Sequence, residues 1–146
     1  MPSSRSRRER GAAAVEMAIV LPLLLLVLAG IIDLSRAFFT NMSLATSARE
    51  GARAAVLITA PTPTGPCPVV NTCIRQRALV AAPTGAEIPE SLIQNCVGAT
   101  ATSPPASVTA RVPNFDYIVL GGIMGLFGST PSTPHLSETA QMRCNV

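Results

Sequence analysis

The sequence has no tryptophan and no lysine, few other aromatic residues, and little charge. Aromatic residues make up 3% of the 146 residues. Charged residues make up 13%, about half the share that is usual for a globular domain. A soluble core of this length normally contains more large rings. These absences argue against one large soluble core, and we expect a single modest domain with part of the chain used elsewhere.

The net charge of +3 is confined to the first ten residues. Four arginines outweigh one glutamate before Gly11, whereas the seven arginines and seven acidic residues after it cancel. The rest of the chain therefore has no net positive field that would attract phosphates. We expect no nucleic-acid partner.

Residues that carry catalysis are also scarce. His135 is the single histidine, and the chain contains no nucleophile elbow, phosphate loop or zinc-protease motif. Asp116 and Glu138 are not marked by any motif as an acid/base pair. We predict that the protein is not an enzyme and that it has no cofactor and no small-molecule substrate.

Four cysteines, Cys67, Cys73, Cys96 and Cys144, all lie well after residue 32, beyond the apolar N-terminal part of the chain. An even number in a short exported region favours two disulfides, which allow three connectivities. A metal site is the alternative, but it would favour C-x2-4-C spacing, and five residues separate the first two cysteines. We predict no metal and expect Cys67–Cys73 and Cys96–Cys144, the second of which would tie the last strand to its sheet.

One long apolar run lies near the N-terminus. Residues 12–32 contain a single charge, and as a helix they would be about 31 Å long, the thickness of a bilayer core. The arginine-rich flank favours an N-terminus inside the cell. A cleaved secretory signal, cut near Ala29, is the alternative, but the run is longer than the apolar region of an ordinary signal. We predict a retained single-pass membrane helix.

Two residues within this run are unusual for a helix in lipid. Glu16 would cost about 2.5 to 3.5 kcal/mol at the membrane centre, although it lies near the cytoplasmic edge. It either reaches the headgroups or awaits a partner cation. Pro22 removes one helix hydrogen bond and should kink or loosen the turn before it.

The helical pattern continues beyond the membrane to about residue 58, before two prolines. Arg49, Glu50 and Arg53 form a polar face with spacing suited to a local ion pair. Small residues at four-residue spacing allow close approach of another backbone; they pack on the chain's own outer domain, on other helices, or on both. The apolar positions that recur at helical steps are Leu34, Phe38, Ala45, Ala48, Ala52 and Ala55, and Gly51 adds a second small pair with Ala55.

The remainder predicts a small outer domain. Residues 59–69 form a proline-rich hinge, and residues 70–146 begin with a short helix from Val70 to Ala82. Strands are predicted at Ser107–Arg111, Tyr117–Leu120 and from Leu136 onward. We expect an α+β fold in which an antiparallel sheet of two to four strands packs on the outer part of the long helix. Gly121–Gly128 is predicted to be an apolar loop, buried in the core or else in contact with another subunit or the membrane.

At residues 10–56 the chain resembles the TadE-like family, the minor pilins (pseudopilins) of tight-adherence, Flp-type IVc pili. The resemblance is carried by RGAAAVEMAIVLPLLLLVLAGIIDLSRAFF and then ATSAREGARAA. Its specific features are Gly11, Glu16, the Leu21-Pro22 pair and AREGAR. The later segments VTARV, GGIMGLFG and LSETAQMR are more loosely similar to the final two strands of the family.

The resemblance implies a role in pilus assembly. A prepilin peptidase would cut the leader, residues 1–11, after Gly11, so that Ala12 becomes the N-terminus. Glu16 would then pair with the new amine of a neighbouring subunit as helices dock, with Pro22, Ala48, Gly51 and Ala52 on the docking helix. Met17 departs from the family pattern, which usually has Phe or Tyr after the glutamate.

The implied partners are the lipid bilayer, the peptidase, other pilins and proteins of the tight-adherence apparatus. The implied location is the bacterial plasma (inner) membrane, with residues 12–32 spanning it and residues 33–58 extending the helix outside. The alternative is a monomeric membrane-anchored protein with an extracytoplasmic binding domain.

Overall fold

The computed structural model describes residues 4–58, 69–126, 128–129 and 132–144, and the side chains from Gly11 onward. Residues 59–68, most of the predicted hinge, lie outside this range. A short 3-10 turn, Glu90–Leu92, precedes the first strand. The helices are α1, Ser4–Leu57, α2, Val70–Val80, and α3, Val119–Leu126, and the strands are β1, Ile93–Gln94, β2, Ala106–Val112, and β3, Leu136–Met142.

The three strands form one antiparallel sheet with β2 in the centre. Alternate residues of β2 are buried, as expected for a strand with one face on a core. Thr109 lies opposite Thr139 on β3, and their hydroxyl oxygens are 2.8 Å apart. The antiparallel arrangement predicted from the sequence is confirmed.

Residues 37–116 and 133–146 form one compact unit around this sheet. Its core combines α1, α2 and β2, and Leu44, Ile74 and Val108 are all fully buried. Ser47 on α1 is buried as well, and its hydroxyl donates a hydrogen bond of 2.8 Å to the carbonyl oxygen of Ala78 on α2. The predicted packing of the long helix on a small sheet is therefore confirmed, and the α+β fold with it.

The predicted apolar face of α1 is only partly covered. Ala48, Ala52 and Ala55 are fully buried, but Leu34 and Phe38 are 70% and 66% exposed. Helical spacing puts all five near one side of the helix, yet spacing alone does not determine how far along the helix its covering extends. Among the described residues, the three alanines of this face pack inside the chain and Leu34 and Phe38 stay exposed, so packing of this face on other helices stays a prediction.

Residues 1–36 and 117–132 form the second compact unit. Its second segment contains α3, which begins at Val119, so the predicted strand at Tyr117–Leu120 is wrong. A short apolar run does not distinguish strand from helix by its periodicity. The predicted buried loop at Gly121–Gly128 is also wrong, because residues 121–126 are helical and no residue of α3 is buried.

A disulfide joins Cys96, directly after the sheet's first strand, to Cys144, after the last. The expectation of a disulfide in this domain is confirmed. Cys73 is disulfide-bonded and buried in α2, whereas Cys67 lies outside the described residues. Within the described part of the chain, no three His, Cys, Asp or Glu side chains are grouped so as to hold a metal ion.

Candidate functional site

The first part of α1 presents an apolar surface that is not covered by any other described residue. Every residue from Gly11 to Leu28 is exposed, and most are large and aliphatic. Within the described residues, α1 is the single helix that is long and apolar enough to cross a membrane. Exposed apolar surface of this extent marks a region that meets lipid or another protein.

Glu16 is the only charged residue on this surface. It is exposed, and no described residue forms an ion pair or a hydrogen bond with its side chain. Ala12 lies four residues earlier, one helical turn away and on the same face. A carboxylate on an apolar face that has no partner among the described residues is costly once water is removed, and a cation from elsewhere would offset that cost.

Pro22 lies inside α1, and the helix continues through it. Because proline has no amide hydrogen, the carbonyl oxygen of Ala18 lacks its usual donor at this turn. Four aliphatic side chains around this point line a shallow groove without a polar side chain: Val20, Leu23, Leu24 and Val27. The surface beside Pro22 is thus suited to an aliphatic partner, either a lipid chain or another helix.

The small residues farther along α1 are covered by the protein's own outer domain. Ala48 and Ala52 are fully buried, and a Cβ added at Gly51 would lie 2.8 Å from Cγ1 of Val108 and 3.0 Å from Cβ of Ala78. The sequence allowed these small residues to pack on the chain's own outer domain or on other helices. For Ala48, Gly51 and Ala52, the structure shows packing within the chain itself.

The charged residues of the AREGAR motif point the other way. Arg49, Glu50 and Arg53 are all exposed. Among the described residues Glu50 forms no ion pair with either arginine, so the local pair that their spacing allows is not present. The small residues of the motif are thus buried inside the protein, whereas its charged residues are exposed and accessible to a partner.

Asp33 is a site residue that the sequence analysis missed. It is 1% exposed, and its carboxylate accepts three backbone N–H groups at the start of α3: Ile118 at 3.2 Å, Val119 at 3.4 Å and Leu120 at 2.7 Å. Arg36 Nη1 is 3.8 Å from Oδ1 of Asp33. In the sequence, Asp33 is recognisable only as the charged residue that ends the apolar run. The one further sequence signal is that the segment it caps, residues 118–120, has no polar side chain of its own.

A family model described as TadE-like protein matches residues 11–53 of the chain. Residues 11–53 are similar to the TadE-like family. The match agrees with the family suggested by the sequence motifs, and it points to a protein associated with tight-adherence pili. No curated protein and no solved structure matches the chain.

The TadE-like segment contains the exposed apolar surface, Glu16 and Pro22, and it ends at Arg53, the last residue of AREGAR. It is therefore most of α1. The helix α2, the sheet and α3 all follow it, so the match carries no information about them. The TadE-like family is a structural, pilus-associated family.

Proposed function

We propose that this protein is a TadE-like minor pilin (pseudopilin) that takes part in the assembly of tight-adherence type IV pili and docks through the first part of α1. The observation that carries the proposal is Glu16, exposed on an apolar helix surface without a partner among the residues that the structure describes. The TadE-like match over the same residues supports it.

The partner that we propose for Glu16 is an N-terminal amine. Cleavage after Gly11 by a prepilin peptidase would create an amine at Ala12, largely protonated at neutral pH. In one subunit, Ala12 and Glu16 lie on the same face of α1. A neighbouring subunit shifted along the helix axis would bring its own amine to Glu16, and the cost of an unpaired carboxylate in lipid would favour that register over others.

The orientation that we propose places the arginine-rich residues before Gly11 in the cytoplasm. Residues 12–32 would cross the plasma (inner) membrane of a bacterium, and the sheet would lie outside the cytoplasm. The charge distribution supports this direction, since four arginines precede the apolar run. An outer location also suits the disulfide between Cys96 and Cys144, because such bonds persist in oxidising compartments.

Replacement of the carboxylate tests the proposal. Glu16→Gln keeps the size of the side chain and removes its charge, so the protein should insert at least as easily but fail to support piliation. The measurement is the number of pili per cell by electron microscopy, together with the amount of the protein in the membrane fraction. Glu138→Gln, the same change on β3 outside the TadE-like segment, should leave both unchanged.

Normal piliation by Glu16→Gln at normal membrane levels would contradict the docking role of the carboxylate. The competing function, a monomeric membrane-anchored binding protein, predicts this outcome. It also predicts that deletion of the protein leaves pili intact.

A further inference from the structure

The helix α3 has an unusual composition for a helix outside a core. Its eight residues, VLGGIMGL, include no polar side chain. A helix that is apolar all round is normally buried within a protein or a membrane. Yet no residue of α3 is buried, Leu126 is 85% exposed, and Ile118, just before the helix, is 62% exposed. The described residues cover α3 only in part, which is less than this composition requires.

Both ends of α3 have their backbone groups bonded within the chain. At its start, the carboxylate of Asp33 accepts the three N–H groups of residues 118–120. At its end, Gly128 donates to the carbonyl oxygen of Gly125 at 3.1 Å, and Ser129 donates to that of Met124 at 3.0 Å. Gly128 has a φ of +71°, so this ending is the Schellman arrangement that satisfies the last carbonyls.

Helix ends in water can leave such groups to the solvent, whereas in lipid each unpaired group costs several kcal/mol. Asp33 is separated from the residues that it caps by 85 to 87 positions in the chain. A distant carboxylate thus bonds three N–H groups at one end of α3, and a Schellman turn bonds two carbonyl groups at the other. This property suits a helix in surroundings that are poor in water.

The position of α3 follows from the same carboxylate. Asp33 comes directly after the apolar run of residues 12–32, and α3 belongs to the same compact unit as that run. Ala29, one turn before Asp33 on the same face, is 2% exposed, whereas Ile32 and Leu34 remain exposed. The start of α3 is therefore held at the outer end of the apolar run, beside an aliphatic surface that continues along α1.

The lack of charge and the short length of α3 limit where it can lie relative to the membrane. No charged residue occurs from Tyr117 to Pro134. At about 1.5 Å per residue α3 is about 12 Å long, too short to cross a bilayer. An uncharged apolar helix of this length can lie within one leaflet near its surface, and there it would continue the lipid-facing surface of α1.

We propose that α3 is a lipid-contacting helix in the outer leaflet of the membrane, held against the outer end of the membrane-spanning part of α1 by the carboxylate of Asp33. The inference rests on the proposed insertion of α1 in the membrane, and it does not depend on a role in pili. The occupant of the exposed surface is the acyl chains of lipid. A second copy of the protein is the competing occupant.

The absence of tryptophan provides the test, since each introduced tryptophan is a unique fluorophore. Leu126→Trp places it on α3, and Val80→Trp, at a site that is 86% exposed on α2, is the matched control. Leu24→Trp reports on the apolar run. Each full-length variant is reconstituted in vesicles of phosphatidylcholine whose acyl chains carry bromine, which quenches tryptophan on contact.

The expected result is that Leu126→Trp emits at shorter wavelength than Val80→Trp and is quenched by brominated lipid, as Leu24→Trp is. Ile118→Trp should behave like Leu126→Trp, which guards against a local effect at one site.

Quenching of Leu24→Trp without quenching of either α3 variant would overturn the inference. So would short-wavelength emission that brominated lipid does not quench and that shifts back on dilution of the protein in lipid, because a second copy would then cover α3. If Leu24→Trp is not quenched either, the insertion of α1 fails and the inference with it.

A second measurement tests the role of Asp33 as the positioning residue. In the Leu126→Trp background, Asp33→Ala should reduce the quenching of tryptophan, because α3 loses the acceptor of its first three N–H groups. The same change should leave the quenching of Leu24→Trp intact. Asp116→Ala, at an exposed aspartate close in sequence to α3, is the control and should change neither. Undiminished quenching of Leu126→Trp with Asp33→Ala would show that the carboxylate does not hold α3.

Discussion

Gly51 of the AREGAR motif is locally unfavourable in a helix but allows that helix to pack closely on the sheet. Glycine costs about 1 kcal/mol relative to alanine in a helix interior, so local preference disfavours it here. Its neighbours explain its presence, because a Cβ at this position would lie 2.8 Å from Val108 of the central strand. Removing the side chain lets α1 approach the sheet, and the gain in packing offsets the local cost.

We predict that Gly51→Leu destabilises the sheet-containing unit. Overpacking of a closed core costs about 1 to 3 kcal/mol, more than the helix propensity that leucine regains. The measurement is the urea midpoint of the β-sheet signal, with the full chain in detergent micelles. Gly30→Leu makes the same change in the same helix where nothing lies within 4 Å of an added Cβ, and it should leave this midpoint unchanged. Equal midpoints for the two variants would contradict the close approach at Gly51.

At the scale of elements, the strands depend on the disulfide between Cys96 and Cys144 in addition to the hydrogen bonds of the sheet. β1 contains two residues, too few to hold an edge by pairing alone. The disulfide from Cys96 to Cys144 connects the chain after β1 to the chain after β3, across 48 positions. Cys96 also donates its backbone N–H to Ala55 on α1 at 3.4 Å, so this link lies where helix and sheet meet.

The double variant Cys96→Ser with Cys144→Ser should destabilise the sheet-containing unit by about 2 to 5 kcal/mol, the usual effect of removing a native disulfide from a small exported domain. Both cysteines are replaced so that no buried thiol remains unpaired. Chemical denaturation followed by the β-sheet signal measures the change, and reduced wild-type protein is the comparison. A midpoint equal to that of the oxidised wild type would show that the core alone holds the strands.

At the scale of the whole molecule, α1 connects the two halves of the proposed function. Its 54 residues include the exposed apolar surface at one end and the covered face at the other. In the proposed function, the first part of the helix docks in a membrane through Glu16, and residues 44–55 pack in the sheet-containing unit. The TadE-like match ends within the covered face, at residue 53, so it spans both uses of the helix.

Processing of the N-terminus is the prediction that belongs to this scale. Protein extracted from membranes of cells that contain a prepilin peptidase should begin at Ala12, by intact mass and N-terminal peptide mapping. In cells without the peptidase it should retain the arginine-rich stub. An intact stub in the first case would remove the amine that the docking proposal assigns to Glu16.

Much of the fold could be predicted because it depends on residues close together in the chain. The apolar run, the end of α1 before the prolines, and the positions of β2 and β3 follow from local periodicity and composition. The motif that identifies the TadE-like segment is local too, since Gly11, Glu16 and Pro22 lie within a few turns of one helix.

Local patterns could not show which surfaces meet. Leu34 and Ala48 occupy similar faces of α1, and only the extent of the outer domain leaves one exposed and buries the other. Residues 117–120 have the composition of a strand, but α3 begins among them at the point where a carboxylate from residue 33 accepts their N–H groups. The amino-acid sequence by itself determined the long apolar helix and the acid within it, because both depend on residues close together in the chain. Tertiary structure decided the cap of α3, the Cys96–Cys144 pairing and the burial of Gly51, because each depends on groups that are distant in the chain and close in space.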